Sequence, residues 1–368
     1  MFSAAVPLLL AGGIVLTVRR LEIAVVCFCL GLVLIQGVTF VSDIGASDRT
    51  ASISISLIIG GLSYLALTHS KLTWHQAVSV FGFWMAASVV LGVYQALTGS
   101  GFVDERAFES TLLIGMWRAS GFTNDPNYFS LLCLIGLSLA LAFSRPGRWL
   151  LILVAIIGII LSGSRAGLIT CCVVLFTAAI GGYFSKVRFA GMAIMGVAAL
   201  GALIALRDYL PSELGAIFDW RSYSTDTSEL NSLSYRMTTI LAALQAFSED
   251  PIAGIGLGNL VHYRENVYSQ VSHNTVIEIA AETGIMGLAL YVVLLWEAFR
   301  VVARVQDQRT KLTLSLALAA LILMSMTLVT HYSRIFFVTL AILSIVGRKP
   351  IQPSPGPPHA VGHLGPLR

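Results

Sequence analysis

Long apolar blocks recur along this chain, most of them with short breaks between, and they restrict the fold more than any other feature. "LILVAIIGIILSG" and "LLCLIGLSLALAF" are typical. A membrane span needs roughly 20 mostly apolar residues to cross ~30 Å of hydrocarbon. Eleven spans are expected, over 3–18, 21–40, 51–68, 77–97, 127–144, 149–163, 166–184, 189–206, 274–298, 312–330 and 334–347. The chain of 368 residues is 56% hydrophobic and only 11% charged, whereas soluble domains devote about a quarter of their residues to charge. Too little polar surface exists to cover a soluble body. An all-α, polytopic transmembrane bundle follows.

Charge sorts the breaks by side. The fragments "TVRRLE", "THSKLTWHQ", "SRPGRW", "FSKVRF", "WEAFRVVARVQDQRTK" and the tail from Arg348 hold 14 of the 23 Lys and Arg, and only three of the 19 acids. Basic residues favour the cytoplasmic side, so these fragments are assigned inside and the N-terminus outside. The apolar N-terminal run has its basic residues after it, which suits a retained span rather than a cleaved signal. All five cysteines lie in apolar blocks and read as packing residues. No Cys/His spacing suggests a metal or a disulfide framework.

The expected division is a bundle over 1–206, an outer loop domain over 207–272, further spans over 273–347 and a Pro-rich, disordered tail over 348–368. Within the loop, "LSYRMTTILAALQAF" (233–247) has helical apolar spacing through Leu233, Met237, Ile240, Leu241, Leu244 and Phe247. Arg236, Thr239 and Ala243 fall on the opposite face, so spacing alone makes Arg236 a solvated helix arginine. "GIGLGN" (254–259) reads as a flexible turn. No strand precedes it, so it is a weak nucleotide-binding motif. No internal repeat is evident.

Ionisable groups at a membrane edge are costly and are functional candidates. Arg165 in "LSGSRAGLIT" sits in a turn with almost no loop. It is either a snorkelling arginine or a forked cation suited to phosphate. "VSHNTVIEIAAET" opens an apolar helix with His273, Asn274, Glu278 and Glu282. Thr275 with Glu278 matches a capping box. The two carboxylates lie four apart on one face, which is expected to line a polar cavity or pack under the loop. His273 stands at the mouth, where a histidine is either structural or a general base. In "WRASGFTNDPNYFS", Arg118, Asn124 and Asp125 are binding candidates, while Asn127 reads as a helix cap.

"GFTNDPNYFSLL", "LSGSRAGLIT", "SYRMTTILAALQAFSEDPIAGIGLGN" and "SHNTVIEIAAETGIMGLALYV" follow one another in an order that resembles the O-antigen ligase and polymerase superfamily of bacterial inner-membrane proteins, over about residues 115–300. The resemblance implies a GT-C-like bundle of about 11–12 spans with one large periplasmic loop. It implies a metal-independent, inverting glycosyltransferase without cofactor. The donor would be an undecaprenyl-diphosphate-linked oligosaccharide, and the acceptor a glycan or lipid A–core. It further implies that Arg165 and Arg236 engage the donor diphosphate, that His273 activates the acceptor hydroxyl, and that the site faces the periplasm. Nucleic acid is not an expected partner, and a chain-length regulator is compatible. By analogy alone, polymerase is preferred to ligase. A transporter of lipid-linked sugars is the rival from another class, and a scaffold for polysaccharide export is a third reading.

Overall fold

The computed structural model describes residues 20–41, 48–99, 111–112, 116–123, 125–142, 147–182, 227–267 and 269–347. Ten α-helices occur among them. They are α1 (Leu21–Val41), α2 (Asp48–His69), α3 (Trp74–Thr98), α4 (Pro126–Ala140), α5 (Gly147–Ser162), α6 (Arg165–Ile180), α7 (Thr227–Glu249), α8 (Thr275–Ala303), α9 (Gln308–Ser325) and α10 (Arg334–Gly347). The only strands among the described residues are β1 (Thr111–Leu112) and β2 (Met116–Trp117), paired antiparallel. The expected spans at 3–18 and 189–206 lie outside the described residues.

Among the described residues, three helices are long and apolar enough to cross a membrane alone: Arg49–His69, Trp74–Thr98 and Thr275–Ala303. Shorter apolar helices accompany them. The protein is a helical membrane protein. Its outer surface carries large apolar side chains, such as Val80, Phe83, Val90 and Leu97 of α3, where a soluble protein would show charge. The core is also apolar and continuous. α4 is almost wholly buried and packs against α5, α3 and α9, and α1 pairs with α8. Small residues bring helices close: a side chain at Gly136 would strike Met85, and one at Gly60 would strike the Phe337 ring.

Two features depart from the sequence reading. The first is the span expected over 274–298, which is broken. Gly284 has φ 63° and ψ −162°, a backbone state open in practice only to glycine. At the break, Ala281 O and Glu282 O lose their helical donors. They accept instead from Ile255 N (3.0 Å) and Gly256 N (2.8 Å), while Ile285 N donates to Pro251 O (2.8 Å). The "GIGLGN" segment is therefore a tight brace against α8. It also holds α2, since Thr50 Oγ1 donates to Leu257 O at 2.6 Å. The helix after the break, 285–303, is roughly 28 Å long at 1.5 Å per residue. That length alone matches the hydrocarbon core, so the polar head, 275–283, is a separate short segment.

The second departure is the orientation of α7. Its buried face is the small one, with Thr239, Ala243 and Ala246 at 0% exposure, and Ala243 and Ala246 pack with Leu260 on Ala281 of α8. The larger Met237, Leu241 and Leu244 are about half exposed. Arg236 is consequently not on a solvated face but on the side turned toward the bundle.

Candidate functional site

The site is assembled at the end of the bundle where α2, α4, α6, α8 and α10 begin. Arg165 is the first residue of α6, with only Gly163 and Ser164 between it and the end of α5. Serines close this hairpin. Ser162 Oγ donates to Ile159 O (2.6 Å) and accepts from Ser164 N (3.1 Å), while Ser164 Oγ caps α6 by accepting from Gly167 N (3.2 Å). Gly163 supplies the left-handed residue that ends α5 (φ 60°). Arg165 is left exposed at the tip.

Arg118 reaches the same hairpin from another segment. Its Nε donates to Ser162 O (3.0 Å), and Ala119 N donates to Leu161 O (2.9 Å), satisfying carbonyls at the end of α5. The turn that follows is fixed by buried Gln95 of α3. Its Oε1 accepts from Ser120 N (3.1 Å) and Gly121 N (2.8 Å), and its Nε2 donates to Gly121 O (3.2 Å). Asp125, not Asn127, is the cap of α4, accepting from Asn127 N (2.6 Å) with Pro126 in the first turn. Asn124 lies outside the described residues.

These groups share one electrostatic neighbourhood with Arg236. Burial pushes Arg118 below the usual guanidinium range, Asp125 opposes that shift, and the charges of Arg236 and Arg165 add to it. Guanidiniums from three separate segments are thus within electrostatic reach of one another, with Asp125 at the N-terminus of α4 and Arg165 at that of α6. Helix N-termini carry partial positive charge and favour anions.

His273 borders this cluster. It adopts a left-handed backbone (φ 53°), uncommon for a residue with a side chain. Both neighbours are pinned. Ser272 N donates to Glu278 Oε2 (2.7 Å), and Ser272 Oγ donates to Asn274 O (3.0 Å). Asn274 is the cap of α8, accepting from Val276 N (3.0 Å) and Ile277 N (3.1 Å), and its amide donates to Met326 O (3.2 Å). The capping box expected at Thr275 is replaced by this arrangement. Thr275 Oγ1 instead donates to Leu328 O (2.7 Å). The His273 side chain meets Tyr235 of α7, with Tyr235 Oη and His273 Nε2 3.3 Å apart. Burial lowers the pKa of His273, Arg236 and Arg49 lower it further, and Asp125 opposes them. The imidazole is therefore neutral at neutral pH and can accept a proton.

Glu278 and Glu282 are both fully buried, on the polar head below His273. Glu282 lies near the backbone amides of Gly258 in the brace and of Leu260 just after it. Arg49, in the first turn of α2, is the cation beside both carboxylates, and its Nη2 lies 3.3 Å from Tyr332 Oη. Sequence reasoning passed over Arg49, Tyr332 and the segment 326–333, because an arginine at the start of an apolar helix reads as a helix end. That segment underlies the site: Tyr128 Oη donates to Val329 O, and buried His331 is held far toward its neutral form, to about 3, by burial with Arg49 adding to it.

A polytopic helical membrane protein with clustered arginines and a neutral histidine at one end is the class defined by this geometry. The family model Wzy_C, O-Antigen ligase, matches residues 150–292, just over a third of the chain. The match supports the resemblance to the ligase and polymerase superfamily, and the matched stretch contains Arg165, Arg236, His273, Glu278 and Glu282. No curated protein matches the chain.

Proposed function

We propose that the protein is an inverting glycosyltransferase that moves a glycan from undecaprenyl diphosphate to a sugar hydroxyl at the periplasmic face, polymerising repeat units of O-antigen or exopolysaccharide. The observation that carries this reading is the electrostatic neighbourhood shared by Arg118, Arg165 and Arg236, with Arg236 also acting on a half-buried His273 whose pKa is lowered. In the proposed reaction, the acceptor O–H bond breaks and its proton passes to His273. The hydroxyl oxygen attacks the anomeric carbon from the face opposite the diphosphate. The glycosidic C–O bond breaks and its electron pair stays on the phosphate oxygen. Fixed guanidiniums stabilise the charge that develops there without having to reorganise, and Arg165 and Arg236 are assigned that role. Arg118 and Asp125 shape the wall of the donor site, with Asn124 next to them in sequence. Asn274, Glu278 and Glu282 hold the head of α8 on the acceptor side. The description of the matched family favours a second reading, a ligase that delivers the glycan to lipid A–core.

The test uses protein purified in detergent with undecaprenyl-diphosphate glycan extracted from cells lacking this chain. A ladder of lipid-linked oligomers from wild type, absent with His273→Ala, is the expected result. Transfer only after lipid A–core is added would replace polymerase by ligase. An intact donor with either acceptor would overturn the enzyme reading.

A further inference from the structure

The contact between Tyr235 and His273 bears on which ring nitrogen does the work. A neutral imidazole has one N–H donor and one bare nitrogen. Tyr235 Oη is 3.3 Å from Nε2, and the two rings meet edge to face with centroids 5.9 Å apart. Tyr235 is half-buried on α7, next to Arg236. Among the described residues it is the hydrogen-bond partner shown for the His273 ring, although the backbone on both sides of His273 is tied down.

If the phenol donated to Nε2, that lone pair would be occupied and Nδ1 would carry the proton. No basic nitrogen would remain. In the opposite polarity Nε2–H donates to the phenol oxygen, and Nδ1 is bare. Resting on the reading of His273 as the base, we infer that Tyr235 is a positioning residue that accepts from Nε2–H and so makes Nδ1 the proton acceptor. The acceptor's O–H proton moves to Nδ1, and the resulting imidazolium keeps its Nε2–H bond to Tyr235. The phenol stays un-ionised throughout, since burial raises its pKa to about 12, with Glu278 adding to the rise and Arg236 and Arg49 opposing it. The bond strengthens as the ring becomes charged, because a charged donor makes the stronger hydrogen bond. It therefore offsets part of the repulsion from Arg236 on α7 and Arg49 on α2, on the same side of the balance as Asp125 at the cap of α4.

The experiment compares wild type, Tyr235→Phe and His273→Ala in detergent, with the same extracted donor, across pH 5 to 9. Phenylalanine keeps the ring and its packing. The expected outcome for Tyr235→Phe is a kcat about tenfold lower, an unchanged KM for donor, and an acidic limb displaced to lower pH, because the imidazolium has lost its acceptor. A limb displaced to higher pH would mean that the phenol donates to Nε2, and would overturn the inference. An unchanged rate and profile, with His273→Ala inactive, would also overturn it while leaving the base assignment standing. Activity in His273→Ala would remove the base reading and this inference together.

Discussion

Gly284→Ala attacks the joint between the polar head and the membrane span of α8. Two costs follow from the structure. The backbone at φ 63°, ψ −162° is a state in which a Cβ costs about 1–3 kcal/mol. The new Cβ would also overlap the Ile252 carbonyl and lie 2.7 Å from Ala253 N, both of them backbone atoms that no rotamer change can move aside. Relief requires the 251–256 turn to withdraw. That strands the bonds Ile255 N to Ala281 O, Gly256 N to Glu282 O and Ile285 N to Pro251 O, each worth about 0.5–1.5 kcal/mol net. The sum is roughly 3–7 kcal/mol, a large part of the ~5–15 kcal/mol that keeps a typical protein folded. Thermal unfolding in detergent, followed by tryptophan fluorescence, should show a Tm lowered by roughly 5–10 °C. Gly37→Ala is the control. Gly37 lies in α1 with open space where its Cβ would be, and alanine favours a helix by up to about 1 kcal/mol. Equal Tm values for Gly284→Ala and Gly37→Ala would refute the reasoning.

The turn behind Arg118 and the pH response of His273, the proposed base, give two further tests. Gln95→Leu removes the partner of Ser120 N, Gly121 N and Gly121 O inside the bundle. At about 1–3 kcal/mol for each buried group left unpaired, it should lower the Tm by several degrees and cut transfer by displacing Arg118; a wild-type melting curve would contradict this. The pKa of His273 is lowered below 6.5, so the basic form grows as pH rises through that lowered value, and the acidic limb of transfer should lie below pH 6.5. Asp125→Asn keeps a capping side chain but removes the charge that raises the His273 pKa. Its limb should move further down, and an upward shift in the pH–rate profile would contradict the assignment.

The bundle was legible in the sequence because hydrocarbon imposes length and apolarity directly. α10 begins and ends where the apolar run does, and α1, α2 and α3 differ from their expected spans by a few residues at most. The arginines and His273 stood out because charge beside apolar blocks is rare. What escaped was settled by tertiary contact. The head of α8 reads as continuous helix, and Gly284 breaks it only because the distant 251–256 turn supplies replacement partners. Arg49 and Tyr332 are 283 residues apart, and nothing local to either reveals the other. The face of α7 was misjudged because large apolar side chains were assumed to point inward, a rule that assumes water outside. Here the small side chains of Ala243 and Ala246 allow close packing on Ala281.

That inverted helix bears on how the protein can be handled. α7 turns Met237, Leu241 and Leu244 away from the bundle, while its inner face is cut to fit the head of α8. Neither side is suited to bulk water. Residues 207–272 resemble a small extramembrane domain in length, but expressed alone they would present an uncovered alanine seam on one side of α7 and a greasy ridge on the other, and would aggregate. Residues 227–267 are better regarded as part of the bundle's own end, and their structure should survive only in detergents or lipid discs that also cover α7.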